Sequence, residues 1–359
     1  MLENYAYYSR PNIYLLAGLA DILSENLRLE FEEHEPVSIE PFSYQGSLIP
    51  WKRSVPGPHP VTTRSKHKYD GQIFADQNYA YFQFNRLLDK SAIKGELQSL
   101  KWWLRGLAKL YIWFQSHRKN SLIASYIDLE RPVFEEYLAS FIQDVNRQEI
   151  SNLIIDLRYN NGGIYWLGIQ LIYHITNRDD LLKHKRFCYN PEFSGSISDI
   201  EKDPCYSWYK NKFGSEPPVK QLSPTPENEA PFFSILTYQE SPYYIAPNRP
   251  VFNGRVIVLA NQNTKSAAAW LAALLQDNEL AVVVGTTTDY HPTGPTGRTL
   301  FKLPNTGLKF SLPSDYFERA MPEKGEEFQP DYWVENTVED FYSSRDAAFE
   351  KALEIIRSP

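Results

Sequence analysis

Two stretches of this chain share one pattern, and that pattern limits the folds open to it. In "NLIIDLRYNNGGIYWLGIQLIYHI" a short apolar run, Leu153 to Leu157, meets a turn at Asn160-Asn161-Gly162-Gly163, and Tyr165 opens a helical stretch. In "RVIVLANQNTKSAAAWLAALLQD" an apolar run over 255–260 breaks at Asn261-Gln262-Asn263, and Ser266 opens a run of alanines and leucines. An apolar run bounded by turn residues marks a strand buried on both faces. Such strands, alternating with helices, build a parallel α/β layer, and the functional groups of that layer gather at the carboxyl ends of its strands. The sequence therefore predicts an α/β fold whose chemistry sits on two turns, 160–163 and 261–266.

The rest of the chain fits around these units. Residues 12–24 have a helical pattern, and "LRLEFEE" and "VSIEPF" alternate like two strands. Residues 50–70 carry four prolines and several basic residues and suit a linker or exposed loop. "QIFADQNYAYFQFN" suits a strand pair. Apolar residues at 97, 100, 104, 107, 111 and 114 fit one helical face; the Trp102-Trp103 pair belongs to this helix and suits packing better than ligand binding. A second helix begins at Pro132 and uses Val133, Tyr137, Leu138, Phe141 and Val145. Residues 186–250 lack a clear period and read as a long excursion. A strand follows at 281–285, then a hairpin in "TLFKLPNTGLKFSL" with Asn305-Thr306-Gly307 at its tip. "VEDFYSSRDAAFEKALEIIR" ends the chain as an amphipathic helix. This organisation divides into an N-terminal remnant and linker, 1–68, and one larger domain, 69–359.

Composition narrows the function classes. A net charge of −7 over 359 residues argues against a dedicated nucleic-acid binder. No apolar run reaches the roughly 18 residues of a membrane span. The first residues show no basic cluster before an apolar block, so they do not read as a signal peptide. No His-Glu-X-X-His or Cys-X-X-Cys pattern suggests a metal, and no cofactor is expected. The two cysteines, Cys188 and Cys205, fit either a pair or two free thiols.

Ser266 is the candidate nucleophile. The first N–H groups of a helix lack intrahelical partners, and the helix dipole adds positive charge there. An oxyanion formed beside such a serine would be stabilised. By itself the segment fits a helix-capping serine better. The double glycine changes the balance, because a backbone without Cβ atoms can approach a ligand and offer N–H groups. An N–H of Gly162 or Gly163, together with that of Ala267, would make an oxyanion hole. Lys265 reads as solvated, and His59 and His67 as surface residues.

In these blocks the sequence resembles the S41 serine peptidases, the family of tail-specific (C-terminal processing) and tricorn-like proteases. "LIIDLRYNNGG", "VIVLANQNTKSAAAWLAALLQD", "AVVVGTTT" and "LPNTGLKFSLPSDYFERAMPEKGEEFQPDYWVENTVED" match its conserved segments in order, over roughly 70–359. The resemblance implies a ClpP/crotonase-like spiral α/β core, preceded here by a small PDZ-like or α+β remnant. It implies hydrolysis of peptide bonds in peptide or protein substrates and leaves a homo-oligomer open. It places the nucleophile on Ser266 and the oxyanion donors on Gly162 or Gly163 and Ala267. At the position of the processing-protease lysine this chain has His291. The Asp-X-His-Thr segment of the tricorn-like branch is absent, which suggests a shortened or degenerate member. The supporting carboxylate falls on Glu323, with Glu326 and Glu327 nearby, and Ala269 stands where the family often has Glu. The alternatives are an inactive homologue that binds extended peptides along a strand edge and, further off, a coenzyme A-dependent acyl-transfer site. Members of the family are commonly exported, so the resemblance suggests an extracytoplasmic location.

Overall fold

The computed structural model describes residues 27–31, 34–39, 61–91, 97, 101–116, 131–189, 204–218, 221–297, 299–302, and 307–358 apart from 308, 314, 338, 341 and 342. The expected helix at 12–24, the first part of the linker, His59 and the Asn305-Thr306 hairpin tip lie outside the described residues. Two compact units are present: Met1–Gly57 with Thr337–Arg345, and Pro58–Asn336 with Asp346–Pro359. In the first, β1 (Leu27–Phe31) pairs antiparallel with β2 (His34–Ile39), as the alternating pattern predicts.

The second unit is a mixed α/β structure. Its strands and helices run β3 (Tyr69–Phe74), β4 (Tyr79–Phe84), α1 (Trp102–Ser116), α2 (Phe134–Arg147), β5 (Asn152–Asp156), α3 (Tyr165–Ile175), β6 (Lys185–Tyr189), α4 (Pro204–Phe213), β7 (Leu222–Pro224), α5 (Ser234–Thr237), β8 (Arg255–Ala260), α6 (Ala267–Asp277), β9 (Val282–Gly285), β10 (Gly294–Thr296), β11 (Thr299–Lys302), β12 (Lys309–Leu312), β13 (Asp315–Glu318), β14 (Tyr332–Trp333) and α7 (Ala347–Arg357). A six-stranded sheet has the order β14-β9-β8-β5-β4-β3. All its neighbours are parallel except the β3–β4 hairpin at one edge.

The sheet is covered on both faces, which explains the unbroken apolar runs. Alternate residues serve opposite sides. Leu153, Ile155, Val256 and Val258 pack in one apolar cluster with Phe134 and Leu138 of α2, Leu167 and Leu171 of α3, and Leu271 and Leu275 of α6. Ile154, Ile257 and Leu259 pack in the other with Ala348, Phe349 and Ala352 of α7. Helix α2 buries Phe134, Leu138, Phe141, Ile142 and Val145, a single stripe at helical spacing. Val133, expected on that stripe, is instead its N-cap residue without a capping side chain; Asp89 supplies the acceptor, taking the Phe134 N–H at 2.6 Å.

Three expectations need correction. The stripe is not buried at Leu107, which is exposed, as are Trp103 and Leu110 beside it, and among the described residues neither apolar cluster contains an α1 side chain. Periodicity shows that a face is apolar, not that something covers it. The excursion at 186–250 is not irregular throughout, since it holds β6, α4, β7 and α5. Here β6 lies between β13 and β7 in a four-stranded antiparallel sheet of order β10-β13-β6-β7. These strands have three to five residues each and find partners far away in sequence, so no local hairpin signal announces them. The terminal helix starts only at Ala347, because Asp346 caps it by accepting the Phe349 N–H at 3.1 Å. Cys188 is disulfide-bonded; the chain's other cysteine, Cys205, has its side chain outside the described residues.

Asp346 also closes a buried charge network. Arg158 donates to Asp156 Oδ2 and to Asp346 Oδ1, both at 2.7 Å, Tyr81 donates to Asp156 at 2.6 Å, and Thr62 donates to Asp346 at 2.7 Å. Burial pushes the Asp346 carboxyl up, but the Arg158 guanidinium and the hydrogen bonds outweigh it and hold the group at about 2. Removing Arg158 would leave two buried carboxylates without a counter-charge, whereas removing Asp346 would leave the Arg158–Asp156 pair intact. Arg158→Met should therefore lower stability by about 3 kcal/mol in urea unfolding. Pairing that change with Asp156→Asn, which removes one of the stranded carboxylates, should recover part of the loss; a double variant as unstable as the single one would refute the network account.

Candidate active site

The two turns singled out in the sequence emerge side by side because β5 and β8 are parallel neighbours, with Asp156 opposite Leu259. Asn160 ties them together. Its side-chain Nδ2 donates to the Phe84 carbonyl at 2.7 Å, its Oδ1 accepts the Gly162 N–H at 2.8 Å, and its carbonyl accepts the Lys265 N–H at 2.9 Å. From the other turn, Thr264 Oγ1 donates to the Leu157 carbonyl at 3.0 Å. Both Asn160 and Thr264 are fully buried. Sequence reasoning assigned neither a role; the sole hint was an amide side chain two residues before a glycine, a common turn-closing arrangement.

The glycines are required sterically. A Cβ on Gly162, whose φ is +86°, would lie 2.7 Å from the Lys265 carbonyl oxygen and 2.8 Å from the Ser266 Cβ. On Gly163, at φ +142°, it would lie 2.2 Å from the Leu87 carbonyl oxygen. The first turn thus presses directly on the backbone of 265–267.

Ser266 is not a helix cap in the ordinary sense. Its side chain makes no capping hydrogen bond, and its backbone sits at φ 52°, ψ −128°. That region costs a non-glycine residue roughly 1–3 kcal/mol and persists only where the surroundings enforce it. The same strained strand-to-helix turn is how some hydrolase folds expose a nucleophile. Ser266 is partly exposed, and its hydroxyl has no hydrogen-bond partner among the described residues. The N–H of Gly162 is taken by Asn160. The N–H groups of Ala267, in the first turn of α6, and of Gly163 have no acceptor among the described residues. An unengaged hydroxyl and the unengaged Ala267 amide thus stand at the start of α6, next to Gly162 of a turn whose Gly163 N–H also has no acceptor among the described residues.

The other candidates are placed less closely. His291 is exposed and forms no hydrogen bond with Ser266. Its loop does lie against the start of α6. Lys265 Nζ is 2.7 Å from Asp289 Oδ2, and the Tyr290 ring centroid is 5.9 Å from that of Trp270. Lys265 is thus ion-paired, although both side chains are about half exposed and the pair adds little stability. His67 is partly exposed, and its carbonyl accepts the Asn85 Nδ2–H at 2.9 Å. Glu323, on the turn Pro322–Lys324, is exposed, as are Glu326 and Glu327. Its neighbour Lys324 is 3.3 Å from Asp277, the last residue of α6. That end of the helix lies roughly 15 Å along the axis from Ser266, so the structure does not bring Glu323 to the serine. Ala269 is fully buried and offers no polar support. Among the described residues no group of three or more His, Cys, Asp or Glu side chains is placed to hold a metal ion, and no helix is long and apolar enough to cross a membrane.

A model of peptidase family S41 matches residues 124–334, more than half of the chain, and spans both turns. The chain belongs to peptidase family S41. Among solved structures, this S41 chain is similar to a putative peptidase from Parabacteroides merdae ATCC 43184, at 16% identity over 83% of this chain and 67% of that one, with a TM-score of 0.48. It is also similar to mature CPAF (17% identity, 78% of this chain, 50% of that one, TM-score 0.44) and to the photosystem II D1 C-terminal processing protease (13%, 78%, 47%, TM-score 0.37). The chain spans about half the length of the latter two. No curated protein sequence matches it.

Two outcomes follow from the strain at 266 and the contact at 162. Ser266→Gly should be more stable than Ser266→Ala by about 1 kcal/mol, since only glycine relieves the backbone; equal stabilities in thermal unfolding would contradict a strained turn. Gly162→Ala should cost at least about 1 kcal/mol and displace the 265–267 backbone, visible as shifts of the Ala267 and Ala268 amide resonances.

Proposed function

We propose that this S41 chain is a serine peptidase whose nucleophile is Ser266. The observation that carries this reading is the backbone of Ser266: a serine held in a costly conformation, with its hydroxyl unengaged, beside the unengaged Ala267 amide and the turn that carries Gly163. Nothing in helix capping requires that arrangement.

In this reading Ser266 Oγ attacks the carbonyl carbon of a peptide bond. The developing oxyanion accepts hydrogen bonds from the N–H groups of Ala267 and Gly163, aided by the positive end of α6. Gly162 positions the turn and does not donate, because Asn160 already holds its N–H. The Oγ proton passes to His291 and from there to the departing amine; water then hydrolyses the acyl-enzyme with the same residue as base. His291 is the histidine carried by the loop packed on the start of α6, and catalytic contacts of this kind often tighten only when substrate is bound. The substrates are peptides or proteins. No step calls for a cofactor.

A fluorophosphonate probe tests the nucleophile. The folded chain should be labelled on Ser266, and Ser266→Ala or prior heat denaturation should abolish labelling. A folded chain that stays unlabelled would exclude an activated serine. His291→Gln should lower kcat on an unstructured protein substrate by roughly 10²–10⁴-fold with the fold intact; an unchanged kcat would remove His291 from the mechanism.

A further inference from the structure

A cavity of about 580 Å³ opens at the start of α3, the helix that follows the double-glycine turn. Its wall begins with Tyr165 and Trp166, and Tyr165 stands two residues after Gly163, so their Cα atoms are at most about 7 Å apart. Beside Tyr165, at 6.5 Å between ring centroids, stands Phe317 of β13, stacked on Trp270 with ring centroids 4.2 Å apart and planes 11° from parallel. Trp270 lies one turn into α6 from Ser266, and its ring meets that of Tyr165 at 6.2 Å. An aromatic wall thus runs from the helix of the candidate nucleophile into the cavity. Phe232 and Ile235, from the excursion, close the far side.

The lining carries two cationic side chains, Lys183 and Arg186, and two anionic ones, Glu227 and Asp315. Arg186 pairs with Asp315 at 3.0 Å and with Glu227 at 3.4 Å, and Lys183 Nζ donates to the carbonyls of Glu227, at 2.8 Å, and of Ala230. His184 is buried, and burial lowers its imidazole to about 3, so it is neutral at physiological pH. Neither of its ring nitrogens has a hydrogen-bond partner among the described residues. A cationic guest would lose its hydration without meeting a free carboxylate, since Asp315 and Glu227 already pair with Arg186, whereas a flat apolar guest would meet rings on several sides.

We propose that this cavity seats one large uncharged aromatic side chain of the substrate next to the scissile bond. The proposal rests on the peptidase reading for the direction of the substrate, and its test does not need turnover. Peptides identical except for one central Phe, Ala or Lys are titrated calorimetrically into the Ser266→Ala chain. The Phe peptide should bind at least about tenfold tighter than either of the others. Ser234→Trp, which fills the cavity from a partly exposed lining position, should abolish that preference and leave the Ala peptide within about twofold. Trp166→Ala should weaken the preference from the opposite wall, and each variant is checked for an unchanged thermal midpoint. Equal binding of the Phe and Ala peptides, a preference for Lys, no binding of any peptide, or a Phe preference that survives both variants would overturn the pocket. If the Phe preference holds while the fluorophosphonate fails to label Ser266, the reaction is wrong and the pocket stands. Labelling without the preference has the opposite meaning.

Discussion

Everything at the candidate site depends on the parallel pairing of β5 with β8. The register that sets Asp156 opposite Leu259 delivers both turns to one edge of the sheet. Asn160 then makes the two turns one body through bonds to Phe84, Gly162 and Lys265. A slip of one residue would reverse the faces of Ile154 and Ile155 and separate the two apolar clusters from their helices. The position of Ser266 next to Gly162 is therefore as secure as the core itself.

That security explains how a strained residue persists. The strain at Ser266 amounts to roughly 1–3 kcal/mol. Opposing it is a helix whose residues 267–277 are all buried, beginning at the serine itself. On the N-terminal side, the Lys265 N–H and the Thr264 hydroxyl are held by the carbonyls of Asn160 and Leu157. On the C-terminal side, the Ser266 carbonyl accepts the N–H groups of Ala269 and Trp270 at 2.9 and 3.1 Å. Relaxing the backbone at 266 would break contacts on both sides. The hydroxyl remains outside this network.

The polar residues of "DLRYNNGG" have different roles. Asp156 and Arg158 are buried and join the sheet to Asp346, the cap of the last helix. Asn160 shapes the turn, and the glycines supply the close approach. The motif couples the end of the chain to the geometry of the site without sending a charged group into it. The second sheet also contributes: β6 and β13 bring Arg186, Asp315 and Phe317 to the cavity wall, with His184 just before β6.

The sequence by itself determined the local units. The apolar runs at 153–157 and 255–260, the turns that end them, the helices after Gly163 and Ser266, and the β3–β4 and β11–β12 pairs are all legible, because each is fixed by the spacing of neighbouring residues. Ser266 and the two glycines could be named for the same reason. What only the tertiary structure decided concerns partners far apart along the chain. Asn160 as a clamp, the capture of the Gly162 N–H that leaves Gly163 as the open donor, the distance of Glu323 from the serine, the exposure of Leu107 and the sheet built from β6 and β13 are of this kind. Each depends on which surface covers which, and hydrophobic period and turn chemistry describe one segment at a time without stating what it will meet.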